Sequence, residues 1–336
     1  MEVIEVKKIL RKLIIITSVL AMVLCVPLQT EAAPGAGVGA IFPGYLNPEP
    51  ETYVSTQMTF INGMFFTVDC YHDRILYNDS EDPALPLMSW KVMADDLNKP
   101  HCICSDGLIY MVADTDNNRV VTYTRLITGE FIELQSFENV GIRPHYCVYD
   151  ASSASFYVWS SYTGEMYIYK RTSGFTVKQT SVKKIPILYG VYTRSFTIDG
   201  NNIILCSQGA GGLIVVNKRT FRITAAYRVP DEIGGVVQVA HVGRHYYLTS
   251  SSDRYGDQNV ARVVRSDSLA GFMNSALYTD VTAELGGLTG IQVPYYMTDV
   301  NGIYFVRFVG TGGFQDFGSW FTEDAFGNIV LGGRTY

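Results

Sequence analysis

The chain repeats one pattern about every 45 residues, and a period of that size restricts it to repeat architectures. Small turns written "ING" (61–63), "SDG" (105–107), "DASS" (150–153), "IDG" (198–200), "HVG" (241–243) and "VNG" (300–302) each precede a short apolar run. Those runs are "MFFTVD", "LIYMVAD", "FYVWSS", "IILCSQ", "YYLTSS" and "IYFVRFV". Gly63, Gly107, Gly200, Gly243 and Gly302 mark five of the six units, and "ASSAS" replaces the glycine in the third. The segments are rich in Val, Ile, Tyr, Phe and Thr, and no helical period appears, so the chain reads as all-β.

The third unit parses most clearly, into "HYCVYD", "FYVWSS", "EMYIYKR" and "FTVKQTSV", four strands a to d joined by "ASSAS", "YTG" and "TSG". A four-stranded antiparallel unit cannot bury both its faces alone, but it can between radial copies of itself. Six such units between residue 55 and residue 336 predict a six-bladed β-propeller, with a pair of two-sheet sandwiches as the competing architecture. Residues 33–54 form a separate segment, in which "VGAIFPGYLNPEPETYV" (38–54) is expected to supply a strand that fastens the two ends of the ring.

Residues 1–32 have the layout of a cleavable export signal. Lys7, Lys8, Arg11 and Lys12 precede an uncharged apolar run from Leu13 to Leu28, and small residues surround Ala32 and Ala33. The run is shorter than the ~20 residues of a spanning helix, so a secreted or extracytoplasmic protein is expected, with no membrane span in the mature chain. A retained anchor helix is the alternative. Removing four basic and three acidic side chains takes the net charge from −6 to −7. Without a basic stripe, nucleic acid is excluded as a partner. The mature chain keeps Cys70, Cys102, Cys104, Cys147 and Cys206, an odd number without the spacing of a disulfide framework. "HCIC" (101–104) and "HYC" (145–147) carry zinc-type ligands, but Cys102 and Cys104 share one face of a strand while His101 points to the other.

Residues 100–120 resemble the NHL repeat. Pro100, Asp106, Gly107, Ile109, Tyr110, Val112, Asp114, Asn117, Asn118, Arg119 and Val120 fall on its pattern. A weaker copy, "FFTVDCYHDRILY", keeps the five-residue spacing between Asp69 and Arg74. The resemblance covers two units well and four by period only, and His101 and Cys102 stand where NHL repeats usually carry a glycine. It implies a six-bladed propeller serving as a binding platform. The spacing itself implies that Asp114 and Arg119 close one hairpin by a charged hydrogen bond, with Asn117 and Asn118 tolerating positive φ.

Aligning the units on their turn glycines places Gln57, His101, His145 and Arg194 six positions before the turn, with Gln238 five before Gly243 and Tyr296 six before Gly302. Strand a is innermost in a propeller, so these residues are expected to surround one mouth of the central channel. The b–c loops should rim the same mouth, bringing His72, Tyr162, Arg254, Tyr255 and Phe314. Aromatics beside Asp, Asn and Arg suit a polar small molecule, a glycan, a peptide or a protein surface, and a monomer suffices for this. The second reading is an enzyme, since related propellers include metal-dependent lactonases and lyases, the peptide-amidating lyase among them. It would require a zinc or calcium ion in the channel, with His101 and His145 as the aligned imidazoles, and a catalytic zinc usually takes three protein ligands. No nucleophile elbow, phosphate loop or "HExxH" occurs, and "GAGG" (209–212) lies in a hairpin.

Overall fold

A strand buried on one face alternates apolar and polar residues, whereas one buried on both reads as a continuous apolar run. Met64–Asp69 (MFFTVD), Tyr110–Asp114 (YMVAD) and Ser155–Ser160 (SFYVWS) are buried at every position, so each must be sandwiched between other sheets. The computed structural model describes residues 41–42, 46–80, 82 and 85–335. Residues 1–32, expected to be an export signal, lie outside the described residues.

The described strands form six sheets, each with a run of four consecutive antiparallel strands. The first strand of each touches the first strand of the next in a closed cycle: Ser55–Ile61, Pro100–Ser105, Pro144–Asp150, Ser195–Asp199, Val236–Val242, Gln292–Val300, and back to Ser55–Ile61. This is a six-bladed β-propeller; two facing layers would not give a cycle. Among the described residues the only helices are short 3₁₀ turns, and none is long and apolar enough to cross a membrane.

Apolar clusters fill each space between neighbouring blades. Phe65 packs with Met58, Trp90 and Phe305 toward blade six, while its neighbour Phe66 packs with Tyr77, Tyr110 and Phe131 toward blade two. Adjacent residues of one strand thereby serve opposite interfaces. Burying each such ring stabilises the fold by roughly 1.5–3 kcal/mol.

The Asp-to-Arg spacing is scaffolding, as its sequence implies. Arg74 Nε donates to Asp69 Oδ2 (2.8 Å), and Arg119 Nε to Asp114 Oδ2 (2.5 Å). Each buried aspartate also accepts a backbone N–H from the loop that enters its blade, Tyr53 for Asp69 and Asn98 for Asp114 (both 2.7 Å). Of the two asparagines only Asn118 takes positive φ (+53°), and its side chain accepts from Arg143 N of the next blade (2.7 Å). In "GAGG", a Cβ on Gly212 would collide with the carbonyl of Tyr227, so close strand packing accounts for that glycine.

Two expectations change here. The strand in the N-terminal segment, Ile41–Phe42, pairs with the outermost strand of blade two, Phe131–Phe137, and not with the last blade. The six a-strand residues grouped by turn glycines are also not one ring. Blade one turns on two residues, Asn62 and Gly63, between the pair Ile61 and Met64; blade two needs four between Ser105 and Tyr110. Counted from the paired strands, the residues equivalent to His101 and His145 are Thr56, Arg194, Val237 and Tyr295.

Gln57, Gln238 and Tyr296 sit one place further along; Tyr296 still reaches the channel, its hydroxyl meeting His145 Nδ1, whereas the two glutamines turn to neighbouring inner strands. Gln57 Oε1 accepts from Ile103 N (2.7 Å) and Gln238 Nε2 donates to Phe196 O (3.2 Å), so both glutamines tie one inner strand to its neighbour. Replacing Gln57 with leucine leaves the buried Ile103 N–H without its acceptor. It should lower unfolding free energy by about 1–3 kcal/mol, read from urea unfolding; no change would remove the glutamine from the blade contact.

Candidate functional site

Four members of the corrected ring meet in the channel. In blades two and three, ladder pairing skips one residue between Pro100 and Cys102 and between Pro144 and Tyr146. A residue skipped by the ladder is re-aimed by the bulge. His101 and His145 are those residues, and their rings lie 3.9 Å apart. Tyr295 approaches His101 from blade six (6.3 Å between ring centres), and the Arg194 guanidinium of blade four lies 5.9 Å from the centre of the Tyr295 ring.

Both ring nitrogens of His145 are engaged by tyrosines. Tyr192 Oη lies 3.2 Å from Nε2, Nδ1 meets Tyr296 Oη, and Tyr296 Oη also reaches the His145 carbonyl (3.2 Å). His101 donates from Nδ1 to Lys99 O (2.9 Å), leaving Nε2 3.9 Å from Cys70 Sγ. Burial pushes His101 down to about 4 against the opposing bond to the Lys99 carbonyl, with the positive charge of Arg143 assisting. Burial, then His101 and Arg194, holds His145 well below the usual imidazole range. Both rings are neutral at pH 7. Burial raises the Cys70 thiol, and Asp116 adds to it, so Cys70 is no ready nucleophile.

Arg194 carries the charge of the site. Its guanidinium lies 5.5 Å from the Tyr192 ring centre, donates from Nη1 to Ser251 Oγ (2.8 Å), and keeps a buried Nε without a partner. Burial opposes its charge, and among the described residues no carboxylate forms an ion pair with it. Beneath it the channel is blocked. Tyr296 and Tyr146 meet edge to face at 4.5 Å, and Phe196 packs on Tyr146 at 5.6 Å.

Of the expected rim residues, Tyr162 joins the site by stacking on Tyr192 at 5.1 Å. His72 is drawn into the Asp69 and Arg74 brace, its Nδ1 2.9 Å from Asp69 Oδ2. Arg254 pairs with Asp231 (3.6 Å), which Tyr255 Oη also reaches (3.4 Å), while Phe314 stands on the exposed surface of blade six. Tyr192, Tyr295 and Cys70 were missed. Tyr192 had a signal: it stands two places before Arg194, as Lys99 and Arg143 stand before the two histidines.

The residues fit a metal poorly. Cys102 and Cys147 meet at 3.4 Å between blades, on the strand face away from the histidines, and both ring nitrogens of His145 are engaged by tyrosines. Among the described residues no three His, Cys, Asp or Glu side chains gather as a metal-binding group.

Fold and channel together define a six-bladed β-propeller with a polar, arginine-centred mouth. No family model and no curated protein matches the sequence. Among solved structures, the periplasmic gluconolactonase PpgL of Pseudomonas aeruginosa is similar, at 15% identity over 88% of this chain and 82% of that chain (TM-score 0.51). So is hydrazine synthase of Kuenenia stuttgartiensis, at 13% identity over 87% and 80% (TM-score 0.52). At such identities the likeness is one of fold alone.

Proposed function

We propose that this chain is an exported, monomeric NHL-type propeller that binds a small anionic ligand at the mouth formed by Arg194, Tyr192, Tyr295 and Tyr162. The observation that carries it is Arg194, a guanidinium held in place by Ser251 and flanked by tyrosines, with no ion-paired carboxylate among the described residues. An Arg fork recognises carboxylate or phosphate in the plane of its donors, and its buried Nε is a donor awaiting an acceptor. The tyrosine faces suit the apolar side of a sugar acid. The braces at Asp69 and Asp114 support the NHL-type reading, and the basic and apolar layout of residues 1–32 supports export.

A metal-dependent hydrolase or lyase reading has less support, because among the described residues no three His, Cys, Asp or Glu side chains gather to hold the ion. Gluconate, the acid related to the substrate class named for the Pseudomonas neighbour, is a suitable first probe in a calorimetric panel with phosphate and neutral glucose. Arg194→Met should weaken anion binding at least tenfold, by about 1.4 kcal/mol or more, and leave glucose unaffected. Equal anion affinities in both proteins, or no anion binding by wild type, would remove Arg194 as the determinant.

A further inference from the structure

On the other side of the aromatic layer a cavity of about 390 Å³ opens among the a–b turns of blades three to six. Tyr146 and Phe196 bound it inside, and Asp150, Asp199, Asp299 and Gln238 stand in its wall, which includes no Lys or Arg.

The three carboxylates differ. Asp150 is neutralised by Lys218 Nζ (2.9 Å) and accepts from Ser152 and Ser153 (both 2.7 Å). Asp199 accepts from Tyr246 Oη (3.1 Å) and lies 3.5 Å from His241 Nδ1, while Asp299 Oδ1 accepts Gly302 N (2.8 Å). Neither Asp199 nor Asp299 meets a lysine or arginine in these contacts.

Gln238 supplies an independent sign of a ligand. Only 2% exposed, it donates from Nε2 to Thr197 Oγ1 (2.6 Å) and Phe196 O (3.2 Å), which settles the amide's orientation and leaves Oε1 without a donor. Native structures seldom leave such an acceptor unmatched. The wall thus offers two carboxylates and an unsatisfied amide oxygen, flanked by the rings of Tyr149 and Tyr304.

We propose that this cavity is a second binding site, for a small organic cation bearing a primary ammonium group. An ammonium has three donors and no acceptor, which complements a wall of acceptors. Its charge is attracted by Asp199 and Asp299 and by the faces of the tyrosines. The volume lies within the range of small-molecule sites, roughly 300–1,000 Å³. An anion would be repelled, and Tyr304 Oη, a donor that a neutral sugar would need, already serves His241 O (2.6 Å).

The test is calorimetric titration of the full chain with putrescine and, separately, with glucose, at physiological salt. Wild type should bind putrescine and not glucose. Asp199→Asn/Asp299→Asn should bind putrescine at least tenfold more weakly. Asp299→Lys changes an exposed residue, so a folded protein with binding abolished is expected. Glu138→Lys makes the same charge change on an exposed residue outside the cavity and should leave putrescine affinity as in wild type. No heat with putrescine, equal weakening by Glu138→Lys, or glucose binding as tight as putrescine would each overturn the proposal. The two sites remain distinguishable, because gluconate at Arg194 and putrescine here have opposite charge and are probed by different variants.

Discussion

Asp316→Ala should destabilise the protein by about 3–5 kcal/mol, the scale of loss when one partner of a buried ionic network is removed. A propeller must join its last blade to its first, and here no strand is exchanged between them: blade one is 55–94 and blade six is 292–335. The joint rests on side chains. Asp316 Oδ2 accepts from Ser55 N (2.6 Å) and Thr52 Oγ1 (3.1 Å), and its Oδ1 accepts from Gly310 N (2.8 Å).

Arg307, almost wholly buried, donates to Thr52 Oγ1 (2.9 Å) and to Ser55 Oγ. Burial lowers the Arg307 pKa, and Asp316 and then Asp69 oppose the shift. Without Asp316 the guanidinium loses its main compensating charge, and blade one loses two bonds to blade six. Asp316→Asn preserves some of the acceptors and should fall between the two. Urea unfolding decides; a loss below about 1 kcal/mol for Asp316→Ala would mean that apolar contacts such as Phe65 on Phe305, at 6.0 Å, close the ring by themselves.

Acidification should produce the second large effect, through His101. Its folded pKa of about 4 lies below the ordinary imidazole value of about 6.5. Above pH 6.5 both states are neutral and the full contribution is present. As pH falls from 6.5 toward 4 the unfolded chain takes up a proton that the folded protein refuses, so stability is lost through that window. The loss amounts to about 3 kcal/mol, and His145 adds to it in the same direction. Carboxylates held below their usual range, Asp79 and Asp150 among them, also lose stability in acid, so the informative quantity is a difference between proteins. His101→Gln should flatten the dependence by about 1 kcal/mol per pH unit between pH 6 and pH 5. Parallel curves for variant and wild type would show that His101 titrates normally.

Local features of this chain were readable where one strand or one turn suffices. Asp114 and Arg119 could be paired on paper because they flank the same hairpin, and the same holds for Asp69 and Arg74. The channel ring was partly legible. "KPH" and "RPH" place His101 and His145 together, and Arg194 follows from the period. Counting back from turn glycines failed for Gln57 and Gln238 because turns of two and four residues shift the count, and a shift of one residue reverses which face a strand residue takes; Tyr296 reaches His145 all the same. Tyr295 was lost by that error. Tyr192 lies in a loop outside the strand alignment, and the cavity at the far end joins turns from four blades that no pattern within one repeat could connect.

The order of six antiparallel units, the apolar runs buried on both faces and the charged brace of each early hairpin were determined by sequence alone, since they depend on spacing within about ten residues and on the period itself. Tertiary structure alone decided where the ring closes, which residue of each inner strand the bulge turns into the channel, and that Tyr296 reaches across to His145, 151 residues away in sequence. The physical reason is that these contacts join segments whose separation is set by how the blades pack around the axis, a quantity that no local propensity encodes.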